Sequence, residues 1–219
     1  MQQNEKKRQA ALAALNYISD GMQLGVGTGS TVNFFIDALP DVRSKIEAVV
    51  ASSEATRERL EKHGFEVSEL SATGDLDLYV DGADEANKNF HLIKGGGGAL
   101  TREKIIAAAS RKFVCIIDES KFVGALGKFP LPIEVIPMAR SYVSRQLIKA
   151  GAQPVFREGF TTDNGNQIID AWGLSITNPP ATEDRFSRIA GIVTVGLFAH
   201  RGADIILMAD EKGINTLQK

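Results

Sequence analysis

The chain has 219 residues, 43% of them hydrophobic and 24% charged, with a formal net charge of −2. This balance suits a globular protein of one large or two modest domains, and the near-neutral charge without a basic block argues against nucleic acid as the main partner. No apolar run is long enough to span a bilayer, the stretch Met1–Arg8 lacks the apolar core of a signal peptide, and a single cysteine, Cys115, cannot form an internal disulfide. A cytoplasmic protein with no membrane partner is expected.

In chain order, apolar positions Ala11, Leu12, Leu15 and Ile18 predict a helix over 5–18. Met22 to Val26 reads as a strand, and the loop Gly25-Val26-Gly27-Thr28-Gly29-Ser30-Thr31 leads into a helix over 30–39. Strand, glycine loop and helix form the context in which backbone amides and the helix dipole hold a phosphate. Ser30 or Thr31 is expected to cap that helix and to offer a hydroxyl to the anion. Alone the motif is weak, because several nucleotide and phosphosugar folds open this way.

A strand over 46–50 and a helix over 54–62 follow, the latter ended by His63 and Gly64. The strand 76–80 delivers Asp81 and Asp84 at its C-terminal end. Residues 90–93 are expected to be extended, 101–109 helical, and 113–117 a buried strand in which Cys115 is a structural thiol. Alternation of this kind predicts a Rossmann-like, mostly parallel sheet covered by helices, with ligands beyond the C-terminal strand edge. Both glycine loops, the Asp81 cluster and Lys121 fall at that edge.

The pattern changes at Phe129-Pro130-Leu131-Pro132. A strand (133–136), helix (138–149), strand (153–157), turn at Asp163-Asn164-Gly165, strand (167–172), helix (179–189) and strand (192–198) follow. This β-α-β-β-α-β order suits a small ferredoxin-like α+β domain over 129–199. A last strand at 205–208 can return to the first sheet, so the catalytic domain is expected to be 1–128 with 200–219.

The densest chemistry lies at 81–103. Asp81-Gly82-Ala83-Asp84-Glu85 precedes Lys94, four consecutive glycines (Gly95 to Gly98) and Glu103. Glycines leave backbone N–H groups open to an anion, and a carboxylate beside such a hole can act as base toward an enolate. A flexible solvated loop is the bland alternative, but turn chemistry usually needs one glycine rather than four. His63, His91 and His200 lack metal-ligand spacing, so no metal is expected.

These motifs, with Lys94-Gly95-Gly96-Gly97, Thr101-Arg102-Glu103-Lys104, Gly127-Lys128-Phe129-Pro130-Leu131-Pro132, Thr162-Asp163-Asn164-Gly165-Asn166 and Gly196-Leu197-Phe198-Ala199, resemble the A type of ribose-5-phosphate isomerase over essentially the whole length. The resemblance implies a cofactor-free, usually homo-oligomeric enzyme (a homodimer or larger) that interconverts ribose 5-phosphate and ribulose 5-phosphate in the pentose phosphate pathway. It implies Glu103 as the proton acceptor. Lys94 and the amides of Gly95, Gly96 and Gly97 suit oxyanion stabilisation, and Asp81 and Asp84 suit hydroxyl protons and ring opening. Thr28, Gly29, Ser30, Thr31 and Lys121 correspond to substrate-contacting positions, as do Gly82 and Ala83. Lys7 is a further candidate for the phosphate, weighed against a solvated lysine. Glu85, Arg102 and Lys104 are expected to support the loop or face water.

Two other classes compete. A nucleotide-dependent dehydrogenase or methyltransferase would use the first glycine loop, but Ser30 stands where the dinucleotide fingerprint wants a third small residue, and strand 46–50 runs into Ala51-Ser52-Ser53 without an acidic residue. A non-catalytic phosphosugar sensor would need no base like Glu103 beside Lys94.

Overall fold

The computed structural model describes residues 2–219. Thirteen strands are found among them: β1 (Met22–Val26), β2 (Ile46–Ala51), β3 (Leu76–Asp81), β4 (Glu85–Ala86), β5 (Leu92–Ile93), β6 (Ser110–Asp118), β7 (Leu131–Val135), β8 (Gln153–Phe156), β9 (Gln167–Trp172), β10 (Ile192–Val195), β11 (Leu197–Phe198), β12 (Ile205–Asp210) and β13 (Gly213–Gln218). The α-helices are α1 (Gln3–Ala14), α2 (Ser30–Ala38), α3 (Glu54–Lys62), α4 (Leu70–Thr73), α5 (Leu100–Ala108), α6 (Arg140–Lys149) and α7 (Pro179–Ser187). No helix of the described residues is long and apolar enough to cross a membrane. The chain divides into two compact units, one of Met1–Ala83, Arg102–Phe122 and Ala203–Lys219, the other of Asp84–Thr101 and Val123–Gly202.

The first unit is built on a six-stranded sheet in the order β13-β12-β6-β3-β1-β2. All neighbours pair in parallel except β13, which closes the edge antiparallel to β12. The central strands are near-continuous apolar runs, as strands covered on both faces must be. Leu76, Leu78, Tyr79 and Val80 of β3 and Val114, Cys115 and Ile116 of β6 are all fully buried. Cys115 is thus core, as its apolar setting predicts. Ala10, Ala11 and Ala14 of α1 are likewise fully buried, and small side chains let that helix approach closely. The chain leaves β1 toward β2 and then crosses to β3 on the other side, so a topological switch point lies between β1 and β3.

In the second unit β7, α6, β8, β9, α7 and β10 follow the ferredoxin-like order, and the sheet runs β10-β7-β9-β8 with every pair antiparallel. Leu131, Ile133 and Val135 of β7 face Ile169, Ala171, Val143, Leu147 and Phe186 in its core. The turn before β9 is closed by Thr162 N–H donating to Asn166 O (2.9 Å) and Gly165 N–H donating to Thr162 O (2.9 Å).

Three features depart from the sequence expectations. The strand expected over 192–198 is broken at Gly196, so Val195 pairs with β7 whereas Leu197 pairs with β5 in a separate three-stranded sheet, β11-β5-β4. A Cβ at Gly196 would overlap the carbonyls of Lys94 and Pro132, which is why the chain bends there. Phe90 is not extended: it sits at φ 62° in a turn whose amides at Asn89 and His91 donate to Asn87 Oδ1. The pairing of β4 and β5 with β11 also draws 84–101 into the second unit, together with 123–128. The edge strand β13 and the short α4 lack apolar periodicity and have no counterpart in the sequence reading.

Candidate active site

In the first unit the C-terminal ends of β1 and β3 are stitched together at the switch point. Gly27 N–H donates to Val80 O (2.9 Å), and Thr28 N–H donates to Asp81 Oδ1 (3.1 Å). Asp81 Oδ1 also accepts from Gly82 N–H (2.7 Å), and its Oδ2 accepts from the Tyr79 hydroxyl. Asp81 is fully buried. It fits against Gly27 only because that residue has no side chain, since a Cβ there would overlap the carboxylate. Glu103, in the first turn of α5, is 4% exposed. Burial, then the charges of Asp81 and Glu103, push the Tyr79 phenol well above 10.

The first glycine loop opens α2 differently from expectation. Neither Ser30 nor Thr31 is the N-cap; that position belongs to Gly29, at φ 121°, and no side chain caps the helix. The amino end of α2 therefore presents its first-turn amides and the positive end of its dipole without an internal carboxylate or hydroxyl across them. Lys7 Nζ donates to Ser30 Oγ (3.0 Å), which brings an ammonium group beside the same helix end.

Thr28 is tied inward. Thr56 Oγ1 donates to Gly27 O (2.7 Å), so its one proton is committed. Ser53 Oγ then donates to Thr56 Oγ1 (3.1 Å), Thr28 Oγ1 donates to Ser53 Oγ (2.8 Å), and Thr28 Oγ1 accepts from Ser52 Oγ (2.8 Å). Ser53 also caps α3 by accepting from Thr56 N–H (3.1 Å). The hydroxyl of Thr28 thus fixes the loop.

Lys121 ends the 3-10 turn Glu119–Lys121 that follows β6, at the same sheet edge as β1 and β3 because these strands are parallel. Asp118 holds that turn by accepting from Ser120 N–H (3.0 Å). Lys6 ties it to α1 through Glu119 (2.7 Å) and pairs also with Glu211. Arg102 turns to Glu54 (2.6 Å), in line with a supporting role.

Of the remaining predicted residues, Ala83 and Lys104 belong to the first unit, and Asp84, Glu85, Lys94 and Gly95 to Gly97 to the second. Lys94 is 3% exposed and its Nζ lies 5.7 Å from the centre of the Phe198 ring. Its amide donates to Gly196 O (2.8 Å), an extension of the β5–β11 pairing. Gly96 N–H donates to Asp84 Oδ2 (2.7 Å), and Gly98 N–H closes a turn onto Gly95 O (2.9 Å). So the glycine run does not simply expose amides; one is bound by Asp84 and one within the loop. Glu85 is buried and accepts from Gly127 N–H (2.7 Å) and Phe129 N–H (2.6 Å), and so supports the neighbouring segment. Glu134, fully buried, accepts from Thr162 Oγ1 (2.9 Å), Asn166 Nδ2 (2.9 Å), Asn164 Nδ2 (3.1 Å) and the Thr101 hydroxyl, which explains the Thr162–Asn166 motif as structure.

Sequence reasoning missed Tyr79, the Ser52-Ser53-Thr56 hydroxyls and Glu134. Tyr79 had a signal: two residues before Asp81 on a strand, it shares that residue's face.

A family model for ribose 5-phosphate isomerase A (phosphoriboisomerase A) matches residues 48–213. The chain belongs to the ribose 5-phosphate isomerase A family. It is an aldose–ketose isomerase that interconverts D-ribose 5-phosphate and D-ribulose 5-phosphate through an enediolate. Among solved structures, the family's enzyme from Neisseria gonorrhoeae is 46% identical with a TM-score of 0.97, covering 99% of this chain and 97% of that one. The enzyme from Methanocaldococcus jannaschii is 36% identical, with a TM-score of 0.92 over 98% of this chain and 99% of that one. A D-ribose-5-phosphate isomerase solved in complex with phospho-erythronic acid is 37% identical, with a TM-score of 0.96 over the whole of both chains.

Proposed function

We propose that Glu103 is the base of this isomerase and carries a proton between C2 and C1 of the open-chain sugar. The observation that supports it most is the burial of Glu103 at the first turn of α5, where its charge and that of Asp81 act on one phenol. Lys94 and the backbone of Gly95 and Gly97 stabilise the enediolate oxygen, while the Gly96 amide holds Asp84 beside them. Asp81 and Asp84 move the hydroxyl protons and assist ring opening. Gly82 and Ala83 contact the sugar. The phosphate is anchored by the 28–31 loop, Lys121 and Lys7, a reading supported by the uncapped amino end of α2 and the Lys7–Ser30 bond. Phospho-erythronic acid, the ligand of one relative, joins a phosphate to a carboxylate whose two oxygens imitate those of an enediolate.

Glu103→Gln keeps the shape and removes the base. Its kcat should fall by roughly two to four orders of magnitude with little change in KM. Exchange of the C2 hydrogen with solvent deuterium should stop. Exchange near the wild-type rate in this variant would move the base role to Asp81 or Asp84.

The reaction is one of the non-oxidative branch of the pentose phosphate pathway, and the enzyme is proposed to carry it out in the cytoplasm. The second unit also provides a homo-oligomer interface, a dimer or larger. Supporting this are its exposed Met138 (93%), Val155 (52%) and Trp172 (44%), large apolar side chains that an interface would cover. A single monomeric species in sedimentation at working concentration would remove the interface.

A further inference from the structure

Tyr79 is a fully buried phenol in the middle of an apolar strand, its ring 4.8 Å from that of Phe113. If volume alone mattered, phenylalanine would serve as well, and a buried hydroxyl without a partner is costly. The hydroxyl is aimed at Asp81 Oδ2, while Asp81 Oδ1 is taken by the amides of Thr28 and Gly82. Two amides on one oxygen set the position of the carboxylate. The donor on the other oxygen sets the rotation of its plane and the charge left for a substrate hydroxyl. Burial and the two neighbouring carboxylates hold the phenol protonated, so it acts as a donor throughout the working pH range.

We propose that Tyr79 is a positioning residue for the isomerisation, holding Asp81 in the rotation needed for proton transfer on the substrate's hydroxyls. The inference rests on the role given to Asp81 above. Tyr79 itself does not touch the sugar.

Tyr79→Phe removes one oxygen and keeps the packing against Phe113. Its kcat should fall about tenfold, the weight of one hydrogen bond to a charged group, with KM within about twofold of wild type. Combined with Asp81→Asn, Tyr79→Phe should add less than about a twofold further loss, because both changes act through one unit. Site-specific 3-fluorotyrosine at position 79, a stronger donor of nearly the same size, should restore the rate that phenylalanine loses. Wild-type kcat in Tyr79→Phe, or losses that multiply in the double variant, would overturn the proposal. If Tyr79→Phe failed to fold, the pH profile of the fluorinated enzyme would decide: an acid limb of kcat displaced from wild type by the stronger donor to Asp81 supports the role, and an unmoved limb refutes it. Asp81→Asn with wild-type turnover would instead remove the role of Asp81, and that of Tyr79 with it.

Discussion

The loops at 27–31 and 95–98 share a composition and a context, strand before and helix after, but their glycines answer different needs. In the first, Gly27 admits the Asp81 carboxylate and Gly29 ends the approach to α2 at φ 121°, so the helix amides face outward. In the second, Gly95 (φ 107°) and Gly98 (φ 81°) make a closed turn, and Asp84 occupies the Gly96 amide. A Cβ at Gly95 would come within 2.9 Å of Pro132, and one at Gly98 would overlap the Phe160 ring. Three of four glycines there are needed for packing or dihedral angle; only Gly97 has open space around it. Glycine density therefore marks crowding as readily as it marks an anion site, and the two are told apart by what would meet a side chain at each glycine.

The largest effect expected from this contrast is at Gly27. Gly27→Ala should displace Asp81 and lower kcat/KM by about 100-fold or more, the usual consequence of moving a reacting group by an ångström. Activity near wild type would mean that Asp81 tolerates displacement. In the second loop the expected damage is to stability. Gly98→Ala should cost about 1–3 kcal/mol in urea unfolding, whereas Gly97→Ala should stay within about 0.5 kcal/mol. Equal costs at both positions would undo the packing account of the run.

The phosphate role distinguishes the loops further. Ser30→Ala and Lys121→Ala should each raise KM for ribose 5-phosphate by about tenfold with kcat little changed, the size of a charged hydrogen bond. Gly97→Ala should leave KM as it is. A KM effect only at 97 would exchange the assignments of the two loops.

The smallest effect is in acid. Lys6 pulls the Glu211 carboxyl down from the usual 4.5 to about 2. A lowered folded value gives stability that is full above pH 4.5 and lost as the pH falls toward 2. Lys6→Met should flatten the melting temperature of the enzyme across that interval. The same change should loosen the Glu119–Lys121 turn and α1 beside the first loop, without altering the 95–98 turn. Glu211 is solvent-exposed, so water screens the pair and the effect on stability is small.

Much of this architecture was legible because hydrophobic period and turn chemistry agree. Strand 22–26 and helix 54–62 lie where apolar spacing and Gly64 put them, and Asp163-Asn164-Gly165 does form the turn before β9. Residues 192–198 read as one strand because every position but Gly196 suits a strand, and only the carbonyls of Lys94 and Pro132 beside Gly196 turn that glycine into a break. The cap of α2 was misassigned because serine and threonine are the favoured cap types, whereas glycine with positive φ satisfies the geometry and leaves the amides to another acceptor. Tyr79 and Glu134 escaped notice for a different reason. Each is a polar residue inside an apolar stretch, and its partners lie at distances that sequence spacing does not encode.

The first sheet is discontinuous in the chain. Strand β12 lies beside β6, but between them runs nearly the whole of the second unit, from Val123 to Gly202. The second unit's four-stranded sheet, by contrast, is drawn from one uninterrupted stretch, 131–195. During synthesis from the N-terminus that stretch is complete, and its antiparallel neighbours can pair, before β12 has emerged. The loop at 27–31 is among the first parts made, while the sheet that supports it waits for a strand made near the end. Loop closure across so many residues slows that final step, and an exposed β6 edge is what a chaperone would meet in the interval.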